Sequence, residues 1–560
     1  MTKPTQAGEA GSPAASVAGP APGADTTGAD LLVTALLANG IDVVFTLPGL
    51  QIDPVFDALA KRREEFSVYQ VRHEQAAAYM ADGFARVTGR PACCLVVPGP
   101  GLLNAMAGLS TAYACSSPVL CFAGQTPSGT IDAGLGLLHE INNQLEIVKA
   151  VVSWSGRAER GQDIPQLVRQ AVTEMMTGRT RPVSIEVSPD VLAAACPDPR
   201  VSSVAEITAA KLPLGQVERA AELISGADRP LIVAGGGVNR SAASAAVTAL
   251  AERLAAPVIM TTNGKGSISA HSALAFNAPA TRLLLPRADV VIAVGTRFAR
   301  RDGKRWDLRA DQALIKIDID AAEVARGIVP DVPVEGDAGE VLDAVLGLLP
   351  PGPASPGWGD LSEVREQLDR EIEYLQPQAA FGRAIREALP DDAIVIDGMN
   401  QVGYWSRIGF PVYRERTFIS PGYQGTLGFE LPTGLGAKVA APDRPVVVIA
   451  GDGGFMFNVG ELATAVQHKI NVVTIVFNDN AFGNVLRTQD EAYGGRIIAS
   501  ELHNPDFVRL AESFGAIGLR ADGPDQLNRC LNDALTATRP TVIEVPVGRM
   551  PDPWPLIQSH

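Results

Sequence analysis

The sequence predicts an α/β fold of three doubly wound parallel-sheet domains, and three observations carry that expectation. From about residue 28 onward, short apolar runs rich in Val and Ile alternate with Ala-rich stretches of helical period, the pattern of a parallel sheet with helices on both faces. The runs gather into three blocks separated by stretches without that pattern. A chain of 560 residues is also too long for one core at ~100–200 residues per domain. Hydrophobic residues make up 46% and charged residues 19%, which is apolar enough for large cores and far from a disordered composition.

The elements follow in order. Residues 1–27 are Ala, Gly, Pro, Ser and Thr almost throughout, with no continuous apolar stretch of signal-peptide type, and are expected to be a disordered tail. The first block, 28–190, holds the strand runs Val43–Phe45, Cys94–Val97 and Val183–Val187. The second, 213–349, opens on a helical stretch near Leu214 and continues into the strand runs Pro230–Ala234 and Val290–Val294. The linker, 350–360, begins Pro-Pro-Gly-Pro, where missing backbone donors exclude regular structure. The third block, 375–547, has strand runs at Ala393–Ile396, Pro445–Ala450 and Val472–Phe477. The last segment, 548–560, contains Pro551-Asp552-Pro553-Trp554-Pro555 and reads as a tail too rich in proline for a helix or a central strand.

Charge and composition exclude whole classes of function. Lys and Arg number 47 against 62 Asp and Glu, a formal charge of −15, whereas nucleic acid and anionic membrane surfaces demand basic protein. The apolar runs are strand-length, far short of the ~20 residues of a spanning helix. Six cysteines show neither zinc-type pairing nor a disulfide framework, so a reducing cytoplasm is the expected setting.

The strongest chemical signal is the apolar strand Val446–Ala450 running into Gly451-Asp452-Gly453-Gly454 and then a helix expected over Phe455–His468. Glycines at the carboxyl end of a strand let backbone N–H groups approach phosphate oxygens, and the helix adds its positive end. Asp452 cannot hold a phosphate itself, because like charges repel; it fits there if a hard divalent cation bridges the two. After residues 454–477, a 24-residue interval, a second strand ends in Asn478-Asp479-Asn480. If the two strands are neighbours, oxygen ligands from both loops face one ion, and the implied ligand is a diphosphate with Mg²⁺.

These motifs resemble the thiamine-diphosphate enzymes of the acetolactate synthase, pyruvate oxidase and benzoylformate decarboxylase superfamily, which also includes 2-hydroxyacyl-CoA lyases. The resemblance runs from Ala29 to Val547 and takes in Phe45–Gly49, Arg72-His73-Glu74-Gln75, Pro98–Gly101, Asp318-Ile319-Asp320 and Leu427–Pro432. It implies that the blocks are pyrimidine-binding, middle and diphosphate-binding domains. It also implies that Glu74 bonds the pyrimidine nitrogen and so promotes removal of the thiazolium C2 proton. Gly425, Leu427, Gly451, Asp452, Gly453, Gly454, Asn400 and Asp479 would then bind the cofactor, Leu427 as the apolar support under it and Gly425 through its carbonyl. The metal ligands would be Asp452, Asp479 and the carbonyl of Ala481. Asp479 departs from the family's Asn and adds negative charge, so Asn480 stays open as the second ligand. Glu74 and Asp452 would meet across a subunit interface, which implies a homodimer or homotetramer with shared sites.

Substrate signals are thinner. The resemblance places Gln125, His139, Gln489 and Tyr493 around a substrate pocket. The middle block lacks the long His-Gly loop of flavin-binding relatives, which argues against FAD. Arg297, Arg300 and Arg301, with Lys304, Arg305 and Arg309 behind them, form a basic cluster that could take the ADP phosphates of coenzyme A, or serve only as a solvated loop. The leading expectation is therefore a 2-hydroxyacyl-CoA lyase releasing formyl-CoA. The alternative is an acetolactate-synthase-like carboligase or 2-oxo acid decarboxylase. A catalytically silent cofactor-binding subunit is the reading from another class, and the presence of Glu74, Asp452 and Gly425 speaks against it.

Overall fold

A computed structural model describes residues 26–196, 201, 203, 211–300, 306–351 and 357–558. The expected tail up to residue 25, the linker residues 352–356, and Arg301, Lys304 and Arg305 lie outside the described residues. Three six-stranded sheets form, and every strand pairing in them is parallel. The first contains β1 (Val43–Thr46), β2 (Ser67–Gln70), β3 (Ala92–Val96), β4 (Val119–Gly124), β5 (Trp154–Ala158) and β6 (Val183–Val187), in the order β2-β1-β3-β4-β6-β5. The second contains β7 (Pro230–Ala234), β8 (Val258–Met260), β9 (Ala275–Asn277), β10 (Val290–Val294), β11 (Ala313–Asp318) and β12 (Val332–Glu335), in the order β12-β11-β10-β7-β8-β9. The third contains β13 (Ile394–Asp397), β14 (Phe418–Ile419), β15 (Val446–Gly451), β16 (Val473–Asn478), β17 (Ile517–Arg520) and β18 (Thr541–Pro546), in the order β14-β13-β15-β16-β18-β17.

Strand for strand, the first and third sheets have one topology, and the middle sheet has the order of a dinucleotide-binding fold read from its far edge. Central strands such as β15 and β16 are buried at every residue, which is why they read as continuous apolar runs rather than alternating ones. The expected strands all form, with ends within two residues of the expected ones.

Three expectations need correction. The helix expected over Phe455–His468 is two helices, Asp452–Phe457 and Glu461–Gln467. The break falls at Asn458, whose side-chain amide donates to the Gly428 carbonyl at 2.6 Å and turns the chain out of helix. The C-terminal segment is not a loose tail: Trp554–Gln558 is a helical turn whose proline sits in the first turn, where no backbone donor is needed, and Ile557 is fully buried in the third domain's core. The end of the expected linker and the residues after it belong with the middle sheet. Trp358, Leu361, Val364 and Leu368 pack on Leu231 and Val291, and the Trp358 indole donates to the Pro230 carbonyl at 2.7 Å.

One apolar cluster crosses from the first domain into the third, joining Phe45, Tyr79, Met80 and Leu109 to Leu431, Leu435, Val448 and Phe455. Its seam is the contact of helix Glu74–Thr88 with helix Glu430–Ala440. The backbones touch there: a Cβ on Gly436 would run into the Met80 carbonyl, and one on Gly83 into the Thr433 carbonyl. Gly436→Ala should therefore lower stability by about 1–3 kcal/mol through forced separation of the two helices. Gly215→Ala, on a helix with open space around it, should change stability by less than about 1 kcal/mol. Thermal melting of the two variants beside the parent checks this, and equal midpoints would contradict the close-contact seam.

Candidate functional site

The glycine turn stands at the carboxyl end of β15. Its neighbour on one side, β13, is where the strand order of the third sheet reverses, so the ends of the two strands open a crevice. That reversal brings Asn400 beside Gly451, where a Cβ on the glycine would lie 3.0 Å from the Asn400 Cβ. The Asn400 side chain is itself spent on the fold, accepting from Gly403 N at 2.9 Å as a helix cap and donating to the Ile449 carbonyl at 3.1 Å. A Cβ on Gly453 would meet the Phe482 ring at 2.6 Å and one on Gly454 the Glu430 carboxylate at 2.8 Å, so only glycine fits at both positions. Glu430, which the sequence reading passed over, is 1% exposed beneath this cradle. It accepts from Met399 N at 3.2 Å, and burial pushes its carboxyl up to about 7.

On the other side β15 pairs with β16, Gly451 opposite Phe477, so Asp452 and Asp479 emerge side by side. Asp452 is 2% exposed. Burial raises its carboxyl, against the opposing pull of N–H groups from Gly453 and Ala481 and of the Asn504 amide. Asp479 is pushed up to about 7, first by burial and then by the charge of Asp452, to which it is close enough to hydrogen-bond. Asn480 is exposed and left-handed (φ 54°), outside the pair. Ala481 N donates to the Asp479 carboxylate at 3.2 Å. The unforeseen member is Asn504: its Nδ2 lies 2.6 Å from Asp452 Oδ2, 3.0 Å from Asn478 Oδ1 and 3.4 Å from Asn480 Oδ1. Asn504-Pro505-Asp506 reads in sequence as an ordinary turn before a helix, so nothing there signalled the contact. Among the described residues no three His, Cys, Asp or Glu side chains cluster as for a metal, so a cation at this point would draw on two carboxylates and on amide or backbone oxygens.

Glu74 opens helix Glu74–Thr88 and is 7% exposed. His73 caps that helix by accepting from Gln75 N at 3.1 Å. Asn104 donates to Glu74 Oε2 at 3.0 Å, and the third domain's buried Glu461 takes the Arg72 and His73 backbone N–H groups, each at 3.0 Å. Gly425 is left-handed (φ 58°), and Leu427 is half-buried rather than part of a core. Of the expected pocket residues, two are committed elsewhere. Gln125 is buried against Thr126 N and Glu186, and Gln489 ties Ile498 and Ser500 to its own helix. Tyr493 is 57% exposed, and His139 faces Gln51 at 3.1 Å.

A cavity of about 840 Å³ opens where the middle sheet reverses its order, between β7 and β10, and runs to Gly425, Met399 and Trp554 in the third domain. Arg297 and Arg300 line it; Arg309 turns away to Asp311 and the Pro286 carbonyl. Five further arginines, 86, 179, 240, 407 and 416, face it against the carboxylates of Asp318 and Asp337.

Comparison with known proteins matches this architecture domain by domain. Residues 26–147 match the N-terminal TPP binding domain of thiamine pyrophosphate enzymes, 217–345 the central domain and 398–545 the C-terminal TPP binding domain. A protein of Pseudomonas aeruginosa named probable 2-ketoarginine decarboxylase is 35% identical, with 91% of this chain and 92% of that one covered. The probable acetolactate synthase large subunit of Methanocaldococcus jannaschii is 33% identical, covering 92% and 91%. The acetolactate synthase isozyme 3 large subunit of Escherichia coli is 32% identical, covering 92% and 93%. With all three domains matched in order and such relatives spanning nearly the whole fold, this chain belongs to the thiamine pyrophosphate enzyme family.

Proposed function

We propose that this chain holds thiamine diphosphate through Mg²⁺ and acts on a 2-oxo acid, as a decarboxylase or as an acetolactate-synthase-like carboligase. The observation that carries the proposal is the pairing of Asp452 with Asp479 beside a turn where only glycine fits, at a strand-order reversal, in a chain whose relatives bear the names 2-ketoarginine decarboxylase and acetolactate synthase. The 2-hydroxyacyl-CoA lyase expected from the sequence finds no support in those names, and the alternative takes its place.

The residues fit a diphosphate and its cation. Gly453 and Gly454 would offer N–H groups to phosphate oxygens; Asp452, Asp479 and the Ala481 carbonyl would ligate the cation, whose charge offsets two crowded carboxylates. The Asn504 amide nitrogen, surrounded by three oxygens, already sits where positive charge is favoured. When bound, thiamine diphosphate supplies a nucleophilic carbon and an electron sink for breaking or making a carbon–carbon bond next to a carbonyl. Glu74 would meet the pyrimidine with Oε1, since Asn104 fixes Oε2. Gly425 and Leu427 support the rings. In the cavity, Arg297 and Arg300 would take the phosphates of an ADP-bearing ligand, coenzyme A among them, and Asp318 and Asp337 its ribose hydroxyls.

We also propose that two chains share each site, in a dimer or a pair of dimers. Leu50, Leu103, Leu135 and Leu138 on the first domain and Met456 and Phe457 on the third remain exposed in the single chain, as faces awaiting a second copy would.

Three experiments test these readings. Offered pyruvate, 2-ketoarginine and 2-hydroxyacyl thioesters, the protein should release carbon dioxide from a 2-oxo acid; formyl-CoA from a thioester with no 2-oxo acid consumed would reverse the choice of substrate. Glu74→Gln and Asp452→Ala chains should each be inactive alone, yet equal mixtures should recover about a quarter of parental activity, since hybrids own one intact shared site. Recovery of nothing from folded, mixed dimers would place both residues in one chain's site. Since cation binding needs Asp479 ionised, uptake of Mg²⁺ with thiamine diphosphate should weaken as pH falls below about 7 and level off above it. Calorimetry on Asp479→Asn should show a flatter profile, and superimposable profiles would exclude Asp479 as a ligand.

A further inference from the structure

We infer that Asn504 is the positioning residue of the cation site: its side-chain amide orients the Asp452 carboxylate and gathers the Asn478 and Asn480 side-chain oxygens around one point. The inference rests on the reading that Asp452 and Asp479 hold a divalent cation. Its basis is a run of hydrogen bonds whose direction is forced at each link. Glu544, in β18, is nearly buried and takes the Arg520 guanidinium at 2.8 Å, so its carboxylate can only accept. Asn478 must therefore present Nδ2 to Glu544, at 2.9 Å, which leaves Asn478 Oδ1 facing the site. Asn480 N also donates to that Asn478 oxygen, at 3.2 Å, and an amide oxygen only accepts. Asn504 meets this oxygen and Asp452 Oδ2 with one atom, so that atom is Nδ2, and the orientation of this amide follows from its partners rather than from choice.

The segment that carries Asn504 is built to hold it. Leu502 N donates to the Asn480 carbonyl at 2.7 Å and Phe482 N to the Ser500 carbonyl at 2.8 Å, pinning residues 500–502 along the loop that contains Asp479. Asp506 then caps helix Phe507–Ser513, with Phe507 fully buried behind it. Asn504 thus hangs between two fixed points, 2.6 Å from Asp452 Oδ2. A carboxylate held on one oxygen offers the other to a cation without having to be ordered first, which is how partners behind a ligand raise metal affinity. An amide donor also relieves part of the repulsion between two carboxylates that face each other in the absence of the ion.

The test is Mn²⁺ binding, followed by electron paramagnetic resonance, to the full chain in the presence of thiamine diphosphate. The parent should take up Mn²⁺ saturably and Asp452→Ala should not; no saturable uptake by the parent would defeat the cation reading itself. With that reading intact, Asn504→Ala should bind Mn²⁺ about 10- to 100-fold more weakly while still folding in the metal-free state. Affinity within twofold of the parent would overturn the inference. Asn504→Asp separates orientation from ligation, because it keeps the shape and loses the donor. It should bind Mn²⁺ no better than Asn504→Ala, and tighter binding would make residue 504 a ligand and overturn the positioning role. Should Asn504→Ala fail to fold, Asn504→Ser replaces it: its shorter hydroxyl cannot span both oxygens, so Mn²⁺ binding should weaken there too, and parental affinity would overturn the inference.

Discussion

Two carboxylates held against each other at the ends of neighbouring parallel strands are the constraint around which this chain is organised. β15 and β16 pair with Gly451 opposite Phe477, and the first residues past that pairing are Asp452 and, one step later, the Asn478-Asp479 turn. Burial raises both acids, and the charge of Asp452 raises Asp479 further, so the pair is costly to ionise together. Glycine N–H groups, the Ala481 N–H and the Asn504 amide offset part of that cost. A divalent cation carrying a diphosphate would offset the rest.

The surrounding architecture holds that pair in place. The glycine cradle leaves no room for side chains because Glu430, Phe482 and Asn400 already occupy the space behind it. The C-terminal segment locks the outer wall. Arg487, buried, bonds Asp552 and the Met550 carbonyl, Arg549 reaches Asp490 and Glu491, and the Trp554 indole donates to Asn484. All of those partners lie on or beside helix Gly483–Ala492, which leaves directly from the Asp479 loop. The same tryptophan forms part of the wall of the large cavity, so that segment touches both the cofactor side and the middle-domain side of the molecule.

The first and third domains have one topology but carry different chemistry. In the third, the strand-order reversal exposes a glycine turn and two acids; in the first, the corresponding region carries Glu74 at a helix start and the Pro98–Gly101 turn that packs beside it. Helices Glu74–Thr88 and Glu430–Ala440 pack so closely that glycines are required on both, which couples the position of Glu74 to the third domain. The middle domain uses its own reversal, between β7 and β10, to open the arginine-lined cavity.

The sequence alone determined the sheets and the main acids. Buried parallel strands are continuous apolar runs, and a strand ending in Gly-Asp-Gly-Gly followed by one ending in Asn-Asp-Asn can be read from the order of residues, because each feature is local. What lay outside the sequence's reach is whatever depends on which side chain finds which partner. Asn400 and Gln489 looked available and are bound to backbone; Asn504 looked like a turn residue and bonds the Asp452 carboxylate; the proline-rich end looked loose and is anchored by Ile557. Asn504 is 52 residues from Asp452 along the chain, and hydrogen bonds between such distant groups exist only once packing has brought the loops together. Tertiary structure therefore decided the partners, while local pattern had already decided the frame.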